Sequence, residues 1–196
     1  MDPIGLVEAL RRVNRAIALA WGVVLLAVAA FVLVEIALRA LDMRGLGGSD
    51  EIGGYAMAGV AAWGLAFALT ERAHIRIEFA VRRLPSLARD LVDVSALASV
   101  AVVAATVAAY GWSVVGKSLA RGSTANTPLE TPLWMPQIVW WLGWGWFALC
   151  ASLVALAAAT LAVSRRSDAL RALAGTDEGI AAPARRGEAA TVGKAP

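Results

Sequence analysis

Four apolar runs, at about residues 17–38, 53–70, 91–116 and 137–163, leave this chain few folds to choose from. Each approaches or exceeds the roughly 20 residues a helix needs to cross about 30 Å of hydrocarbon, the second being the shortest. In hydrocarbon every backbone amide must find its partner inside the protein, so each run reads as a helix. Apolar residues make up 59% of the 196, and mean hydropathy is +0.66, well above an ordinary soluble domain. The expected fold is an all-α integral membrane domain with four transmembrane helices over residues 16–163. A short N-terminal interfacial helix is expected within residues 1–15, because Ile4, Val7 and Leu10 fall at helical spacing among arginines. Residues 164–196 read as a tail, a frayed helix followed by disorder, since large apolar residues almost vanish there.

Lys and Arg are distributed unevenly among the connecting segments. The N-terminus, the second loop and the tail together hold fourteen, whereas the first and third loops hold four. The positive-inside rule then places both termini in the cytoplasm. The net charge of +3 follows from this topology, so no nucleic-acid partner is expected. The first apolar run exceeds the length of a signal-peptide core and reads as an uncleaved signal anchor. Cys150, the single cysteine, falls inside the fourth run and offers no disulfide.

The second run carries a ladder of small residues every fourth position: Gly54, Ala58, Ala62, Ala66 and Thr70. Lipid provides little hydrophobic drive between helices, so close backbone approach along small residues is a main source of association. The ladder reads as a helix-contact face, with a neighbour in this chain or in another. Ser49 or Asp50 is a candidate cap for this helix, and the pair Asp50-Glu51 suits its N-terminus electrostatically.

Charged residues mark the helix ends. Glu35, Arg39 and Asp42 share one face of the first helix, in the favourable order for an acid-base pair. An interfacial anchor is preferred there over an ion or proton site. Glu71-Arg72-Ala73-His74, with Glu78 beyond, has the residue types of a helical metal site. Di-iron bundles, however, need two such Glu-x-x-His motifs, and this chain has one histidine. No metal, cofactor or catalytic residue is therefore expected, and His74 is read as an interfacial hydrogen-bonding group. The fourth run opens with Trp134, Pro136, Trp140, Trp141, Trp144 and Trp146. From Gln137 to Phe147 is about 15 Å of helix, so these rings reach deeper than a simple interfacial belt. They form either a packing surface or a groove for lipid or quinone, and packing is the commoner case.

Taken in order, these landmarks resemble the small membrane subunit (Q subunit) of tripartite ATP-independent periplasmic (TRAP) transporters. The matching residues are Glu35 to Arg39, Asp50-Glu51, Tyr55, Trp63, the string from Glu71 to Glu78, and Leu84-Pro85. Thr131 to Gln137 and Trp141-Leu142-Gly143 are similar to the start of the family's fourth helix. Glu78 departs from the pattern, where an aspartate is frequent. The resemblance implies a non-enzymatic scaffold in the bacterial inner membrane, partnered by a large polytopic subunit and a periplasmic substrate-binding protein. It implies sodium in the large subunit and organic acids, typically carboxylates, as cargo. The alternatives from the residues alone are a free-standing redox or quinone-binding protein and a small self-assembled channel.

Overall fold

The computed structural model describes residues 3–41, 47–72 and 84–174, and these form five helices. They are α1 (Pro3–Ala40), α2 (Ser49–Thr70), α3 (Ser86–Arg121), α4 (Trp134–Val163) and the short α5 (Ser167–Ala174). The first four are each long and apolar enough to cross a membrane. His74 and Glu78 lie outside the described residues, as does the tail beyond residue 174.

Two helices are much longer than the apolar runs inside them. α1 has 38 residues, roughly 57 Å at 1.5 Å per residue, against about 30 Å of hydrocarbon. The expected interfacial segment is not a separate helix: residues 3–15 are the first turns of α1. No glycine or proline interrupts residues 6–21, so backbone hydrogen bonding continues through the change from polar to apolar sequence. α3 likewise extends beyond residues 91–116 at both ends, from Pro85 at its cap to Gly122 at its stop. Gly122 has φ 59°, and its N–H and that of Ser123 close back on Leu119 and Ser118. This left-handed stop is readily adopted by glycine.

Contacts at the helix ends show that α1 and α3 run antiparallel to α2 and α4. The start of α1 meets the end of α2 through Asn14 and Thr70, and Gly111 late in α3 receives Trp140 early in α4. α1, α2 and α4 pack as a trio, and α3 lies along α4, its most extensive partner. α4 is therefore the central helix. Its buried residues include Gly143, Phe147, Cys150, Ala151, Val154, Ala157, Ala158 and Leu161.

Small residues set the distances within the trio. A Cβ on Gly143 would lie 2.8 Å from the Ala62 Cβ and 3.1 Å from the Ala62 backbone. α2 and α4 therefore meet almost backbone to backbone, the contact that lipid-embedded helices favour. On the other flank of α2, the Trp21 ring covers Gly59. α5 follows a left-handed turn at Arg165 (φ 53°) and packs back on α3 and α4, burying Leu170 completely.

Candidate functional site

Polar contacts concentrate at the two ends of the bundle, here the terminal side (residue 3 and the end of α4) and the far side. On the terminal side the centre is Asn14, a residue the sequence reading passed over. It is 1% exposed and held between α1, α2 and α4. Its amide nitrogen donates to the Ala66 carbonyl at 3.1 Å and to the Thr70 hydroxyl at 3.2 Å. Its amide oxygen accepts from the Trp146 indole at 2.7 Å, with the Cys150 sulfur beside it. One side chain thus ties three helices. The available signal was an amide placed just ahead of an apolar run, where a polar group needs an internal partner.

Glu71, one residue past α2, makes the second tie. Its carboxylate pairs with Arg11, and with Arg15 at 2.9 Å, both from α1. Hydrogen bonding to Arg11 and then Arg15 outweighs partial desolvation and lowers the Glu71 carboxyl from its ordinary 4.5 to about 2. Among the described residues its ion-pair partners are these two arginines. Arg72, the next residue, is exposed and has φ 58°, a left-handed backbone that disfavours any residue but glycine. A third terminal-side contact joins α3 to α5, where the Ser167 hydroxyl donates to the buried Asp90 at 2.6 Å.

On the far side, Glu35 pairs with Arg39 as the spacing predicts, yet it is buried rather than interfacial, at 1% exposed. The start of α2 covers it: the Ser49 side chain and Gly47 backbone stand at its carboxylate. This arrangement revises the capping expectation. Gly48 is the N-cap of α2, with no side-chain capping bond, and Ser49 and Asp50 lie in the first turn. Gly48 is required by its φ of 81° and by Leu129, whose side chain occupies the place of a Cβ. The negative charge that complements the N-terminus of α2 includes Glu35 from the preceding helix.

Glu51 in that turn is buried and accepts from Tyr55 at 2.7 Å and from Thr127. Thr127 belongs to the α3–α4 loop, which is ordered by an antiparallel bridge between Thr124 and Pro132. Glu51 therefore fastens that loop to α2, while Asp50 faces outward.

The small ladder divides in two. Ala62, Ala66 and Thr70 are buried, Ala62 against Gly143 and the other two against Asn14. Ala58 is half-buried and Gly54 is exposed. The tryptophans are packing groups with directed N–H bonds. Trp63 donates to Val139 at 3.1 Å, linking α2 to α4, and Trp141 donates to Ala108 at 2.8 Å, linking α4 to α3. Trp140, Trp144 and Phe147 form a run of ring contacts along α4, and Trp141 packs on Trp112. Trp134 and Pro136 form the half-buried first turn of α4. Among the described residues no three His, Cys, Asp or Glu side chains gather as metal ligands.

The sequence model of one protein family, described as "Tripartite ATP-independent periplasmic transporters, DctQ component", matches residues 28–163. No curated protein and no solved structure matches the chain.

Proposed function

Because the chain belongs to the DctQ family, the small membrane component of TRAP transporters, we propose that it is the scaffold subunit of a sodium-coupled carboxylate importer. The observation that carries this reading is the extent of the family match, which covers α2, α3 and α4 completely and the last part of α1. The family is one of transporter components rather than enzymes, and its members work with a large membrane subunit and a binding protein. In the proposed complex the large subunit holds the sodium and cargo sites. This chain supplies a fixed helical wall beside it, in the inner membrane with both termini cytoplasmic.

The geometry supports a static role. Asn14 and Glu71 tie different helices at one end of the bundle; at the other, Glu35 of α1 lies against the start of α2, and Glu51 fastens the α3–α4 loop to α2. A trio fastened at both ends resists relative sliding of its helices, as a scaffold for a moving partner must. In the proposed orientation the loop held by Glu51 faces the periplasm and presents an ordered platform to the binding protein.

Purification of the tagged chain from its own cells in mild detergent tests the proposal. The expected result is co-purification of one large polytopic protein in a fixed ratio. Recovery of this chain alone, under conditions that preserve other membrane complexes, would overturn it.

A further inference from the structure

A cavity of about 130 Å³ lies on the terminal side, where the start of α1, the end of α2 and α5 converge. Ile4 and Val7 from α1 and Ala169 and Leu173 from α5 give it an apolar wall. Arg11 and Arg72 bring two cations to it, and Glu8 one carboxylate. The volume is far above the roughly 10–15 Å³ that a single water requires, so a compact polar group fits. Its depth is set by α2: Thr70 closes the apolar helix, and Arg72 follows two residues later. That is the level at which hydrocarbon gives way to headgroups.

The charges select among ligands. Glu71 engages Arg11 and Arg15, and Glu8 adds a second negative charge on the same helix as Arg11. Among the described residues, Arg72 is in no ion pair. Of the residues that line the cavity, Arg11 and Arg72 against Glu8 leave one net positive charge. An apolar wall, a single excess cation and a site at the headgroup level together match an amphiphile with one negative charge. Inorganic phosphate has no apolar part for the wall, and a zwitterionic lipid carries no net charge.

We propose that this cavity holds the phosphate headgroup of a monoanionic phospholipid of the phosphatidylglycerol class, with Arg72 as its principal cation. The guanidinium forks onto the phosphate oxygens, and the lipid's glycerol carbons rest on Ile4, Val7 and Leu173. The site binds α1, α2 and α5 to the surrounding leaflet rather than to another protein.

Native mass spectrometry of the full chain in mild detergent tests this, with titrations of phosphatidylglycerol, phosphatidylethanolamine and phosphatidylcholine. One phosphatidylglycerol per chain is expected to bind in preference to the other two. Arg72→Gln should weaken it about fivefold, the usual worth of one basic residue at an anionic lipid surface. Arg72→Lys should restore most of the loss. Ile4→Trp, which fills the apolar wall and leaves the charges in place, should reduce retention as well. Equal binding of the three lipids, displacement by millimolar inorganic phosphate, or unchanged retention in Arg72→Gln or Ile4→Trp would each overturn the proposal. Circular dichroism verifies that a variant is folded, and either folded variant decides the matter.

Discussion

At the scale of single residues, the polar side chains divide by how far away their partners lie. Glu35 and Arg39 are four residues apart on one helix, so their pairing could be read from spacing alone. Glu71 meets Arg11 across 60 residues of sequence, a distance that no local pattern encodes. Asn14 escaped notice for the same reason, its partners being a carbonyl, a hydroxyl and an indole on two other helices. Asn14→Ala is expected to destabilise the folded chain by about 1–2 kcal/mol, because interhelical hydrogen bonds in membranes are each worth about 0.6 and at most about 1.7. A lowered thermal unfolding midpoint in detergent would register that loss, and Trp146 emission should shift as its N–H loses its acceptor. Glu71 gives a prediction with a defined sign. Its carboxyl titrates near 2 in the folded chain against an ordinary 4.5. Its ion pairs therefore contribute fully above about pH 4.5 and are lost as pH falls toward 2. The stability difference between wild type and Glu71→Gln should shrink over that window, as unfolding midpoints from pH 2 to 6 would record.

The four long helices were legible as elements because a membrane imposes one requirement, length and apolarity, that a sequence states openly. Their ends were less so. α1 and α3 run past their apolar runs, because propensity and end-capping, rather than hydropathy, decide where a helix stops. The cap of α2 lies one to two residues before the expected position, since Gly48 there answers to its left-handed φ and to Leu129, which is remote in sequence. The small ladder announced a contact face without naming the neighbour. Its lower half is taken by α1 and α4 of the same chain. Ala62→Leu would accordingly disturb this chain's own packing before any contact with a partner. Gly143→Ala is a milder probe, because its new methyl meets Ala62 Cβ at 2.8 Å and the Ala62 backbone at 3.1 Å. Backbone cannot rotate aside, so α2 and α4 must separate slightly, at a cost of about 1–3 kcal/mol. Unfolding by titrated denaturing detergent would measure it. Gly145, with open space at its Cβ, is the matched control and should tolerate alanine.

For the whole molecule, the number of long apolar helices and the family resemblance are legible in the sequence. The neighbour relations are not, since four apolar helices present similar surfaces to one another and to lipid. The structure supplies them: α4 at the centre, α1 and α2 on one flank, and α3 on the other. The centre is filled by Ala66, Ala104, Phe147, Cys150, Ala151, Val154 and Ala158, all buried. Reconstituted alone in liposomes, the chain is expected to release a trapped carboxylate no faster than empty vesicles do. A fluorescent flux assay would report any excess. An ionised carboxylate entering that packed centre would lose its hydration shell, at a penalty of several kcal/mol even after relaxation. A barrier of only ~4 kcal/mol slows passage about a thousandfold. In the proposed complex the trio would serve as electrical insulation: a gradient does work only where the material beside the conducting route does not leak.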